Sequence, residues 1–114
     1  MYVSVDFSHG AQIYDNLRNQ LKHLDIGILV NNVGRMYDYP NDFNEISEDL
    51  LWGMININIG AVTMMSRIVI PLMKVNRRGL IVNISSGCES QPMPLSAVYG
   101  ATKSYTRSLT LGNY

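Results

Sequence analysis

The sequence is short of cysteine, of net charge and of runs of like charge, and each shortage excludes something. Cys88 is the single cysteine in 114 residues, so an intrachain disulfide scaffold is ruled out. Nine basic and nine acidic side chains cancel. Without a charged run, this balance argues against a nucleic-acid partner or an anionic membrane held by charge. Met1 to Asp6 has neither a basic stretch nor an apolar core and does not read as a signal peptide. Repeats and low-complexity stretches are missing too. What is present is 46% hydrophobic and 16% charged, a globular composition of a size that suits one domain.

Leu50 to Met73 is the longest apolar stretch, with Arg67 its only charge. Asn56, Asn58, Thr63 and Ser66 interrupt it, and Pro71 is expected to break or kink its last turn. It reads as a helix buried on two sides, without being a membrane segment.

Along the chain, Tyr2 to Asp6 alternates as a strand does, with Val3 and Val5 on one face. Ile13, Leu17, Leu21 and Leu24 follow at helical spacing, and Asp25 ends that helix. Ile26 to Val30 suits a short strand buried on both faces. An irregular stretch from Asn31 to about Ile46 leads to Ser47, a plausible N-cap, with Glu48 and Asp49 in the first turn where the helix dipole favours them. The long helix runs to about Val75, Leu80 to Ile84 is the third strand, and Ser96 to about Leu111 the final helix. Strands alternating with helices predict an α/β fold with a parallel sheet and right-handed crossovers. Ligands in such sheets sit beyond the carboxyl ends of the strands. Those ends are Asp6, the Asn31–Gly34 turn and Ser85–Gly87.

Tyr99 and Lys103 stand at i and i+4 of the last helix and share a face. An ammonium close to a phenol favours the phenolate, which is how a tyrosine becomes a usable acid or base near neutral pH. Ser85 and Ser86 end a strand, and Asn58 places an amide where periodicity asks for an apolar residue. Taken singly, each has a plain structural reading: a solvated helix face, a turn, a satisfied kink. Their joint occurrence in one order on a βαβ pattern is much harder to reach by chance.

With these residues in view, the sequence resembles the short-chain dehydrogenase/reductases. The resemblance rests on Asn31-Asn32-Val33-Gly34 after a strand, Asn58, Asn83-Ile84-Ser85-Ser86 and Tyr99-Gly100-Ala101-Thr102-Lys103. It covers essentially the whole chain. The family separates its serine and tyrosine by thirteen positions, which selects Ser86 over Ser85. Ile28 to Gly34 with Tyr37-Asp38-Tyr39-Pro40, Met54 to Ile59, and Ser85-Ser86-Gly87 with Pro92-Met93-Pro94-Leu95 are similar to the 17-beta-hydroxysteroid dehydrogenase branch that includes very-long-chain 3-oxoacyl-CoA reductase. That branch also holds an inactive hydroxysteroid-dehydrogenase-like member with phenylalanine at the tyrosine position, a pattern from which Tyr99 departs.

The resemblance implies NADPH-dependent reduction of a ketone to a secondary alcohol, with a lipid substrate: a 3-oxoacyl-CoA in fatty-acid elongation, or a 17-keto steroid. NADP(H) is expected ahead of NAD(H), and no metal. Tyr99 would protonate the carbonyl oxygen and Ser86 would hydrogen-bond it. Lys103 would favour the Tyr99 phenolate and bind the nicotinamide ribose, and Asn58 would hold a proton-relaying water. Asp6 would contact the adenine, while Asn32 to Gly34 would support the cofactor and the sheet. A homodimer and an endoplasmic-reticulum membrane location are implied for a full-length relative.

The same resemblance makes residues 1–114 the central part of a Rossmann-type doubly wound sheet, strands three to five of the family with their helices. No TGxxxGxG phosphate turn and no substrate loop lie among them. The chain is accordingly expected to be the middle of a longer protein, marginally stable alone and a poor binder of NADPH. The alternative is a truncated, non-catalytic relative that acts by self-association.

Overall fold

A computed structural model describes residues 1–113. Its elements in chain order are α1 (Tyr14–Leu21), β1 (Ile28–Asn31), α2 (Glu48–Met54), a π-helical segment (Ile55–Gly60), α3 (Ala61–Val75), β2 (Leu80–Asn83) and α4 (Ala97–Gly112). Short 3-10 turns span Phe7–Ile13, Phe43–Glu45 and Gly87–Glu89. The strands β1 and β2 pair in parallel, Ile28 with Leu80 through Asn31 with Asn83. The crossover between them consists of α2, the π segment and α3, in accord with the α/β reading.

The polar residues at the strand ends join the ladder. Asn31 Nδ2 donates to Asn83 Oδ1 at 2.8 Å and to Ser66 Oγ at 3.3 Å, and Asn83 Nδ2 donates to Thr110 Oγ1 at 2.9 Å. A chain of amides and hydroxyls thus ties β1, β2, α3 and α4 together where the strands end. Under the sheet, Tyr14 and Leu17 of α1 pack with Ile68, Val69 and Met73 of α3, and Leu29 and Ile81 lie against them.

Three sequence expectations are corrected. β1 is not buried on both faces, since Ile28 and Val30 are 63% and 54% exposed. Tyr2 to Asp6 is not a strand: a ladder needs a hydrogen-bonding neighbour, and the sheet among the described residues has only β1 and β2. Val3 and Val5 still turn toward the core. Pro71 does not end its helix, which runs without interruption from Glu48 to Val75. By length and composition these 28 residues are apolar enough to cross a membrane. Here Ala61, Val62, Ser66, Ile68, Val69 and Met73 form the buried part of α3, while Arg67, Pro71, Lys74 and Val75 are exposed.

Candidate active site

The site begins with the helix that does not stay α. Ser47 caps α2, its Oγ accepting from Leu50 N at 3.3 Å, with Glu48 and Asp49 in the first turn as expected. After Met54 the bonding widens, and Ala61 N–H reaches back five residues to the Asn56 carbonyl. Such π-bulges recur at functional sites because they re-aim side chains that a regular helix would stack. Here Asn56 is directed to the Ser8–Gly10 turn, its Nδ2 donating to Ser8 O at 2.9 Å. Asn58 is directed to the loop after β1.

Asn58 is 3% exposed, so its amide needs partners. Its Oδ1 accepts from Arg35 N at 2.8 Å, and its Nδ2 donates to Arg35 O at 2.8 Å and to Thr102 Oγ1 at 3.0 Å. One side chain therefore clamps the backbone just after Gly34 and joins it to α4. Periodicity flags Asn58 as anomalous; Arg35 and Thr102 as its partners carry no sequence signal.

Lys103 is 6% exposed. Its Nζ donates to Ile84 O at 3.2 Å and lies 5.7 Å from the centroid of the Tyr99 ring, one turn earlier on α4. Burial lowers the Lys103 pKa from its ordinary 10.5. Gly34 lies against it: a Cβ there would be in ordinary van der Waals contact, 3.5 Å from Lys103 Nζ and 3.7 Å from Asn58 Oδ1. Gly34, Asn58, Tyr99 and Lys103 thus come together at the carboxyl ends of the strands.

The two serines separate by their bonds. Ser85 Oγ donates to Lys103 O at 3.2 Å and holds α4 against the strand end. Ser86 Oγ accepts from Cys88 N at 3.4 Å, and its own proton has no acceptor among the described residues. The Cys88 carbonyl in turn packs where a Cβ on Gly100 would be 3.6 Å away, so the loop carrying Ser86 rests on α4 next to Tyr99. Ser104 Oγ, donating to Glu89 O at 2.9 Å, pins the same loop.

Asp6 and Asn32 stand apart from this cluster. Asp6 ends no strand; it caps the first 3-10 turn, accepting from Ser8 N at 2.9 Å. Hydrogen bonds from Ser8 hold its carboxyl below the usual value, with weaker attraction from His9 and Arg35. Asn32 is exposed in the loop after β1. Sequence reading also missed Tyr37, 7% exposed, whose hydroxyl oxygen accepts from Val98 N at 3.1 Å. That bond satisfies an N–H in the first turn of α4 and docks the irregular loop on the helix bearing Tyr99.

The donor set suits the ribose of a nicotinamide dinucleotide. Lys103 has three donors and one acceptor among the described residues, and Gly34 lies beside its Nζ. A Gly-rich phosphate turn is not among these residues. The chemistry offered is a phenol, an ammonium and a free hydroxyl, suited to moving a proton onto an oxygen.

Known proteins resemble this chain in sequence and fold. The family described as short chain dehydrogenase matches residues 1–112. The chain is 49% identical over 104 residues to hydroxysteroid dehydrogenase-like protein 1 of Gallus gallus, covering 91% of this chain and 31% of that protein. It is 48% identical over 103 residues to the Homo sapiens protein named inactive hydroxysteroid dehydrogenase-like protein 1, covering 90% and 31%. With very-long-chain 3-oxoacyl-CoA reductase of Homo sapiens it shares 44% over 105 residues, covering 90% and 33%. The chain therefore spans about a third of the length of these relatives. Among solved structures, a metagenomic short-chain oxidoreductase in complex with NADP superposes with a TM-score of 0.84 at 26% identity, covering 96% of this chain and 49% of that one. A 4-hydroxyisoleucine dehydrogenase complexed with NADH gives 0.82 at 30%, covering 95% and 48%. The parallel sheet with its helices is a part of the Rossmann-like fold these structures share, and the chain belongs to the short-chain dehydrogenase/reductase family of oxidoreductases.

Proposed function

We propose that these residues carry the proton-transfer site of an NADPH-dependent reductase that converts a ketone to a secondary alcohol, with Tyr99 as the acid. The observation that carries this reading is the buried Lys103 ammonium, one turn from Tyr99 and beside Gly34. NADP(H), held in part by Asn32, Gly34, Tyr99 and Lys103 with Asp6 toward the adenine, would supply the hydride. The Tyr99 hydroxyl gives its proton to the carbonyl oxygen. Ser86, whose hydroxyl proton has no acceptor among the described residues, donates to the same oxygen and stabilises the charge that develops there. Lys103 keeps a positive charge beside the phenol. Asn58, through the remaining lone pair of Oδ1, holds a water that returns a proton toward Lys103. By likeness to the very-long-chain 3-oxoacyl-CoA reductase, the substrate is a 3-oxoacyl-CoA, with a 17-keto steroid second, and the setting is lipid synthesis at the endoplasmic reticulum. Residues 1–114 then make up a partial NAD(P)-binding Rossmann domain.

A second reading, a non-catalytic protein acting through self-association, is favoured by the likeness to proteins named inactive. One experiment separates the two. Residues 1–112 are placed in the matching segment of the human 3-oxoacyl-CoA reductase, and NADPH oxidation with a 3-oxoacyl-CoA is followed. Turnover is expected, and Tyr99→Phe should reduce kcat by about 10²- to 10⁴-fold. A chimera that folds and dimerises but is inert with Tyr99 in place would favour the second reading.

A further inference from the structure

We infer that Asn56 is a positioning residue for the adenosine half of the dinucleotide. Ser8 is gripped at both of its backbone polar groups: its N–H donates to Asp6 Oδ1 at 2.9 Å, and its carbonyl accepts from Asn56 Nδ2 at 2.9 Å. Gly10 closes the same turn at φ 72° and ψ −142°, a conformation that glycine adopts without strain. A Cβ on Gly10 would stand 3.5 Å from Asn56 Nδ2 and 3.7 Å from its Oδ1, so the turn lies directly on this side chain. The Asp6 carboxylate is located by the turn it caps, and the turn is latched to the π segment by Asn56. Asn58, two residues on, clamps Arg35 and Thr102 at the proton-transfer end. The six π-helical residues thus set the distance between the group facing adenine and the groups facing the carbonyl.

This inference rests on the proposed reading that Asp6 faces the adenine. The test uses the chimera described above with Asn56→Asp, which keeps the shape and removes the donor, and Gly10→Ala, which strains the turn from the other side. Calorimetric titration measures binding of adenosine 2′,5′-bisphosphate and of reduced nicotinamide mononucleotide. Both variants should weaken the bisphosphate by about tenfold, the size of one lost hydrogen bond. Affinity for the mononucleotide and kcat at saturating NADPH should stay within about twofold of the parent, with KM for NADPH raised. Equal weakening of both probes, or a fall in kcat at unchanged KM, would overturn the positioning role. A parent chimera that binds neither probe would instead overturn the functional reading, and this inference with it.

Discussion

At the residue scale, Lys103 shows how the site works against the stability of the fold. An ammonium 6% exposed with one carbonyl partner is poorly solvated, and burial accordingly lowers its pKa. A lysine with a depressed folded pKa costs stability while both states are protonated, and the cost fades as pH rises from the folded value toward 10.5. In the chimera, Lys103→Met should therefore raise stability by about 1 kcal/mol at pH 7. That gain should shrink toward pH 10.5, and turnover should be lost. Urea unfolding at several pH values checks this, and a variant less stable than its parent at pH 7 would refute it. Tyr14 strains the core in another way. Its hydroxyl is buried beside Gly60 without a partner among the described residues, and burial raises its pKa above 10.0.

At the scale of elements, the unusual feature is the change of helical hand-off at Ile55–Gly60. The sequence shows a long helix and an amide out of pattern at Asn58. It cannot show the wider turn, because six residues are too few for a period to register and the i→i+5 bonds are made by backbone. Only the partners of Asn56 and Asn58, 23 to 48 residues away, explain why the wider geometry is kept. Deleting Ile57 should restore α-helical bonding while rotating Asn58 away from Arg35 and Thr102 by about 100°. Helix content should change little, stability should fall by about 2–4 kcal/mol for three lost hydrogen bonds, and turnover should vanish. Circular dichroism, urea unfolding and the NADPH assay read these three outcomes, and an active deletion variant would show that the π geometry is dispensable.

At the scale of the whole molecule, the described residues do not close on themselves. The radius of gyration is 15.2 Å, against about 13 Å for a compact domain of this length. The accessible surface is 7507 Å², against about 6300 Å² for a monomer of this mass. Ile28, Val30 and Leu80, all in the sheet, are 54–63% exposed, and a sheet of two strands has two open edges. The chain produced alone should therefore associate or melt without cooperativity, and NADPH should not raise its melting temperature. Thermal denaturation followed by fluorescence, with sedimentation to report association, tests this. A sharp transition moved upward by NADPH would contradict it.

From the first helix onward, the sequence by itself determined the order of helices and strands, because hydrophobic periodicity and turn residues act over a few neighbours. It also located Tyr99 and Lys103 on one helix face and marked Asn58 as out of place, since spacing along a helix is a local quantity. Tertiary structure decided everything that depends on distant partners. It separated Ser85, whose hydroxyl is taken by Lys103 O, from Ser86, whose proton has no acceptor among the described residues. It gave Asn58 its clamp on Arg35, and it turned the strand-like Tyr2–Asp6 into an unpaired segment ending in a cap. A strand exists only where a neighbour bonds to it, and a buried polar side chain keeps its direction only where a partner meets it. Neither condition is written in the local sequence.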